Sequence, residues 1–240
     1  MLIIIISYIL AYLYLPRKGW DIFTRVISTI NALQCVYMVS RNIFNTKMFD
    51  LYYVADQSSL NSLYLFSTYL VIDGIFLMPD LSAKFSVQTC LSLLHHFLGS
   101  LGIYLIASNQ KGFFLGFYFA FTEISTPLLN LLWLYKNPFL LKIFFYLFTV
   151  CRIVTIPILL LYLHFNKTQI QTLSFLNCFM SFYGSYALIF LNLVWFHFLK
   201  KKVFEIQKTQ EQNKEEKLKK EIRNEGADEN GIGDGGERFA

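Results

Sequence analysis

Five ionisable side chains stand out because each of them interrupts an otherwise apolar run of the sequence. They are Asp73, His95, His96, Glu123 and Arg152. An ionisable group near the centre of a bilayer costs about 2.5–3.5 kcal/mol on insertion scales, so each one requires a partner or a function. An imidazole beside a carboxylate is the combination that acid–base or nucleophilic catalysis uses. We therefore treat His95, His96 and Glu123 as candidate catalytic residues.

Glu123 also begins a short polar stripe in the predicted helix. The other members follow it by 3, 4 and 7 positions, which is one helix face, and are Thr126, Pro127 and Asn130. Pro127 has no N–H group, so we expect the Glu123 carbonyl to lose its helical partner and the helix to bend. We expect this face to line an interior cavity of the helix bundle, together with Asp73 and Arg152. The competing interpretation is that these groups only join helices, with Arg152 neutralising Glu123 or Asp73.

The elements that must position these residues are transmembrane helices. The chain has 240 residues, of which 55% are hydrophobic and 18% aromatic, more than a soluble domain of this length can bury. Apolar runs of bilayer-spanning length predict an all-α, multi-pass bundle of about seven spans, at residues 2–15, 22–40, 60–79, 87–107, 112–135, 139–164 and 173–199. The first run is short and is interpreted as an uncleaved anchor, because it lacks a basic start and a small-residue cleavage site.

The depths of the ionisable residues agree with one another. The midpoints of the predicted fourth, fifth and sixth spans fall near His95, Glu123 and Arg152. Asp73 lies about three residues past the midpoint of its span, or roughly 4.5 Å at 1.5 Å per residue. Neighbouring helices thus place their ionisable groups in one slab near the middle of the membrane.

The net charge of +5 is a topology signal and not an indication of nucleic-acid binding. With seven spans, most basic residues fall on the side of the C-terminus: Arg17, Lys18, Arg25, Lys84, Lys136, Lys142 and Lys200 to Lys202. Cytoplasmic loops carry the excess of Lys and Arg, so we expect the C-terminal tail on the cytosolic side.

Composition divides the chain into three parts. Residues 1–199 are predicted to form the transmembrane bundle, residues 200–225 a charged helical tail, and residues 226–240 a disordered, Gly-rich C-terminus. The four cysteines all fall in predicted spans and have no metal-ligand spacing. We expect no metal and no cofactor.

Several motifs, in a shared order, resemble the TLC-domain family, which includes the ceramide synthases. They are SLYLFSTYLVID (62–73), LLHHFLGSLGIY (93–104), FTEISTPLLNLLW (121–133), CRIVTIP around Arg152 and NLVWF (192–196). The resemblance covers residues 20–199 and is greatest to the small TLC-domain-containing proteins. It implies a bundle of six to eight spans around an intramembrane cavity.

The resemblance also implies roles for individual residues. The ceramide synthase motif continues from its HH pair to three acidic positions, of which the first is Glu123 here and the others are Thr126 and Asn130. If the chain is an acyltransferase, His95 or His96 is the base or nucleophile, Glu123 orients it, and Arg152 balances charge or meets a lipid headgroup.

Three functions follow as expectations. The first is a membrane protein that binds or processes a lipid, with membrane lipids and acyl-CoA as partners, and so influences membrane lipid composition. The alternative is a non-catalytic accessory subunit of a larger membrane complex, held to other subunits by the charged tail; a mitochondrial complex is one setting. The third is a ceramide-synthase-like acyltransferase. We expect an intracellular membrane, with the endoplasmic reticulum favoured over the mitochondrial inner membrane.

Overall fold

The first half of the chain forms three long helices. The computed structural model describes residues 13–83 and 86–229 together with Ser7, Leu10 and Ala11, and these residues contain helices and no strand. The long helices are α1 (Arg17–Asn42), α2 (Gln57–Ala83) and α3 (Val87–Asn109). A 3₁₀ turn at Thr46–Phe49 lies in the loop between α1 and α2.

The second half is built from shorter helical segments joined end to end. The first group is α4 (Phe113–Thr122), a 3₁₀ turn (Glu123–Ser125) and α5 (Thr126–Tyr135). The second is α6 (Pro138–Phe148), a π segment (Thr149–Val154) and α7 (Ile156–Phe165). The third is α8 (Lys167–Gln171), α9 (Phe175–Phe179), a π segment (Met180–Gly184) and α10 (Ser185–Glu229).

The predicted multi-pass helical bundle is confirmed. Five described helices are long and apolar enough to cross a membrane: Lys18–Asn42, Gln57–Leu77, Val87–Asn109, Pro138–Phe165 and Phe175–Glu216. The predicted span at 112–135 corresponds to α4, its 3₁₀ turn and α5 in succession, so neither helix alone reaches spanning length. The predicted first span, 2–15, lies largely outside the described residues.

Helix α4 is the most enclosed element of the described bundle. Every residue from Phe113 to Ala120 is buried. A helix that is apolar all round belongs inside a protein or a membrane, and here the neighbouring helices cover it. Glu123 follows α4 directly. Its carboxylate therefore lies next to the helix that the rest of the bundle covers most completely.

Helices α2 and α3 approach each other closely because small residues line their contact. The Ser67 hydroxyl donates to the Ser100 carbonyl at 2.9 Å. A Cβ atom added to Gly99 would lie 3.0 Å from Leu70 Cδ1. Small residues of this kind let membrane helices pack at short distance. The contact fixes α3 one turn after the two histidines.

Three loops meet at one end of the bundle. The Gly112 N–H donates to the Leu51 carbonyl at 2.7 Å, from a left-handed backbone (φ +69°) that favours glycine. The Asn166 side chain donates to the Phe49 carbonyl at 3.3 Å. The connections α1–α2, α3–α4 and α7–α8 therefore lie on the same side of the predicted membrane.

The chain divides into two compact units, Met1–His197 and Phe198–Ala240. Helix α10 begins in the first unit and ends at Glu229 in the second, which is four residues into the segment predicted to be disordered. Residues 230–240 lie outside the described residues. The predicted domain boundaries at 199/200 and 225/226 stay predictions.

Candidate functional site

Glu123 is the centre of a buried polar cluster. Its Oε1 atom lies 3.3 Å from Arg152 Nη2 and 3.8 Å from His95 Nε2. Its Oε2 atom accepts a hydrogen bond from the Thr126 hydroxyl at 2.6 Å. Only 7% of the Glu123 residue is exposed. Both carboxylate oxygens are therefore engaged, and they join α3, the 3₁₀ turn and the first π segment.

Arg152 binds four oxygen atoms from three elements. Besides Glu123, its Nη1 donates to Asn192 Oδ1 at 3.2 Å. Its Nε donates to the Thr122 carbonyl at 3.1 Å and lies 3.4 Å from Ser125 Oγ. A buried guanidinium is tolerated when its donors are satisfied in this way. This arrangement favours a structural role for Arg152.

An aromatic frame covers the charged groups. The Arg152 guanidinium lies over the rings of Phe148 and Trp195, at 5.2 and 5.8 Å from their centroids. Trp195 also meets His95 edge-on, with the ring centroids 5.0 Å apart. Cation–π contacts gain strength in a site that is shielded from water. Trp195 therefore contacts both the imidazole and the guanidinium that lie beside the Glu123 carboxylate.

His96 belongs to a second acid–imidazole pair. Its Nε2 atom lies 3.3 Å from Asp73 Oδ2 on α2. The two imidazole rings are 5.7 Å apart at an interplanar angle of 80°. Each histidine therefore faces its own carboxylate, His95 towards Glu123 and His96 towards Asp73. The Nδ1 atoms of both histidines are buried and have no hydrogen-bond partner among the described residues.

Departures from α-helical geometry position both members of the central ion pair. Because Pro127 lacks an N–H group, the chain tightens into the 3₁₀ turn, and the Thr126 N–H donates to the Glu123 carbonyl. The Glu123 carbonyl thus loses its α-helical partner, as expected, but it accepts from Thr126 and is not left free. Arg152 lies in a π segment, and such segments occur frequently at functional sites.

Asn130 does not face the cluster, contrary to the stripe predicted from helical periodicity. Its Nδ2 atom donates to Thr29 Oγ1 at 2.9 Å and to the Arg25 carbonyl at 3.2 Å. Its Oδ1 atom accepts from Arg25 Nη1 at 3.3 Å. Asn130 therefore joins α5 to α1. Thr126 remains with Glu123, and Pro127 acts through the backbone.

Four side chains contribute to the cluster but were not among the predicted site residues: Ser125, Phe148, Asn192 and Trp195. A signal existed for the last two, because Asn192 is a polar residue in an apolar run and Trp195 follows it on the same helix face. Ser125 reaches Arg152 only because of the 3₁₀ turn, which the sequence indicated through Pro127 alone.

Neither of two cavities in the described bundle is lined by His95, His96 or Glu123. A narrow crevice lies between α3, α4 and the second π segment, lined by residues that include Gly102, Phe119 and Met180. A wider groove of about 800 Å³ follows α7. The predicted lipid cavity around Glu123 stays a prediction. No group of three or more His, Cys, Asp or Glu side chains in the described chain is placed to hold a metal ion.

Comparison with known proteins gives one match. A family model described as the TLC domain matches residues 15–201, which is most of the chain and includes every residue of the cluster. No curated protein and no solved structure is significantly similar to the chain.

Proposed function

The chain belongs to the TLC-domain family as a multi-pass membrane protein, and on that premise we propose that it binds and processes a membrane lipid at the Glu123 cluster. The observation that supports this most directly is the pair of buried, unpartnered Nδ1 atoms on His95 and His96. Buried polar atoms normally have a partner, so an unused nitrogen beside an oriented carboxylate suits a ligand group. The polar part of a lipid would supply it.

The reaction class that the arrangement suits is acyl transfer. In this proposal the proton of the neutral His95 imidazole is on Nε2, which lies 3.8 Å from Glu123 Oε1, and the lone pair is on Nδ1. That nitrogen can accept the proton of a lipid amine or hydroxyl as it attacks the carbonyl carbon of an acyl thioester. A new C–N or C–O bond forms, the C–S bond breaks, and the imidazolium returns the proton to the leaving thiolate. Glu123 would orient the imidazole and stabilise its charged form.

The proposed site lies in the endoplasmic reticulum membrane, with the tail in the cytosol. The exposed lysines after the last span, Lys200 to Lys202, support this orientation. Protease added to sealed microsomes should remove the tail. Protection of the tail would contradict the charge argument, and recovery of the protein in mitochondria would contradict the organelle.

The proposed function is tested by identifying the lipids that stay bound to the purified protein. Wild-type protein, Glu123→Gln and the matched control Glu205→Gln, which makes the same change at an exposed position outside the cluster, are purified in mild detergent. We expect one lipid class to be enriched in the wild type and in Glu205→Gln and to be lost or altered in Glu123→Gln. Equal lipid contents in all three, with stoichiometric partner proteins, would instead support the accessory-subunit function.

A further inference from the structure

The groove along α7 is a second feature that could hold a lipid, and it is separate from the Glu123 cluster. Its α7 wall includes Pro157, Leu160 and Leu161, which share one helix face with His164. Aromatic side chains from the second π segment and α10 form the opposite wall: Phe182, Tyr183 and Tyr186. Its volume of about 800 Å³ lies within the range of sites that hold small lipophilic ligands.

The groove changes from apolar to polar along its length. Its apolar part begins at Pro157, and its polar end carries His164, Lys167 and Gln171. The membrane-spanning helix Pro138–Phe165 ends between these polar residues, so Lys167 and Gln171 lie at the edge of the predicted bilayer. From Pro157 to His164 the helix rises roughly 10 Å, which is within one leaflet of a hydrocarbon core about 30 Å thick.

The polar end has a positive charge without a neutralising partner. Lys167 is exposed and forms no ion pair among the described residues. The sequence contains no Asp or Glu between residues 124 and 204, and Asp50, next to the Phe49 carbonyl that Asn166 contacts, forms no ion pair with Lys167 in the described chain. His164 and Gln171 add N–H donors beside it.

We propose that the α7 groove binds one anionic glycerophospholipid of the bilayer. An acyl chain would lie against Leu160, Leu161 and the aromatic wall, and the phosphate would accept hydrogen bonds from Lys167. Charge-assisted hydrogen bonds to phosphate are among the stronger polar contacts. This lipid is distinct from the one proposed at the Glu123 cluster, so either proposal can fail alone.

Native mass spectrometry of the full chain tests the groove. The detergent-purified protein is delipidated and then titrated with phosphatidylglycerol or with zwitterionic phosphatidylcholine. We expect one phosphatidylglycerol molecule to be retained in preference to phosphatidylcholine. Lys167→Gln should lower its retention about tenfold, as loss of one charge-assisted contact implies. Leu160→Trp, which fills the groove, should lower retention of both lipids.

The matched control is Lys47→Gln, an exposed lysine in the α1–α2 loop at the same end of the bundle but outside the groove. It should retain phosphatidylglycerol like the wild type. Equal retention of the two lipids, or equal losses in Lys167→Gln and Lys47→Gln, would overturn the proposal. So would a dimer that Leu160→Trp dissociates, because a second copy would then occupy the groove.

Discussion

The Glu123 cluster and the Asn130 contact lie only seven positions apart, yet they differ in how completely their polar atoms are used. The Asn130 amide donates twice and accepts once, all to α1, and 3% of the residue is exposed. In the cluster the carboxylate and the guanidinium are satisfied, but both histidines keep a buried nitrogen without a partner. A saturated amide is sufficient to join two helices. Unused nitrogen atoms beside charged groups are costly unless something else binds them.

The largest loss of stability is expected where a buried charge loses its partner. Arg152→Ala removes the guanidinium from beside Glu123 and leaves that carboxylate in the bundle uncompensated. We expect a loss of about 3–5 kcal/mol in the free energy of unfolding, measured by denaturant titration in detergent. The double variant Arg152→Ala/Glu123→Gln should recover part of this loss, because no charge is then stranded. Equal stability of the single variant and the wild type would show that the ion pair contributes little.

Two substitutions of Glu123 distinguish a structural role of this residue from a functional one. Glu123→Ala opens a void and leaves Arg152 unpaired, so we expect a loss of about 3 kcal/mol in the same titration. Glu123→Gln keeps the shape and an acceptor oxygen for Arg152, although it also removes the compensating charge, so it should lose less stability than Glu123→Ala. If the site acts on a lipid, the Gln variant should nevertheless change retained lipid as severely as the Ala variant. A Gln variant with normal lipid content would make the cluster purely structural.

Asn130→Ala should affect stability alone. It removes the hydrogen bonds to Arg25 and Thr29, for which we expect a loss of about 1–2 kcal/mol in the free energy of unfolding. Its retained lipids should match those of the wild type in the mass-spectrometric inventory. A change in lipid content would mean that the Asn130 contact and the Glu123 cluster act as one unit.

The smallest change in stability is expected when the chain is truncated after Glu225. Residues 226–240 contain almost no apolar side chains to bury. The melting temperature in detergent should therefore stay within about two degrees of the wild-type value, which gives a baseline for the other variants. A larger drop would show that this segment packs against other parts of the protein.

The helices could be predicted from the sequence, but the partners of the ionisable residues could not. Hydropathy located the spans because desolvation of polar groups dominates in a bilayer. Arg152 had two candidate carboxylates at similar depth, and the sequence offered no means of choosing between them. The choice depends on which helices pack side by side, and that follows from contacts such as Ser67–Ser100 between distant parts of the chain.

Helical periodicity failed at Asn130 for a local reason. A 3₁₀ helix turns about 120° per residue, compared with about 100° in an α-helix. Over the three residues Glu123–Ser125 the difference adds up to roughly 60°, which rotates α5 relative to the face predicted from Glu123. Pro127 indicated a bend at this position, but not its direction. Side chains three residues apart in a 3₁₀ turn lie on one face, so Thr126 stays beside Glu123, whereas Asn130 lies one further turn along the rotated helix.

The cluster also dictates an order of events during synthesis. Glu123 enters the membrane 29 residues ahead of Arg152, so the carboxylate is already present when the arginine arrives. An arginine at the centre of a span opposes insertion by about 2.5–3.5 kcal/mol. The Pro138–Phe165 helix is the most hydrophobic of the five spans in the described chain, and this apolar surface offsets that opposition. The ion pair with Glu123, which is inserted earlier, further stabilises Arg152 within the bilayer.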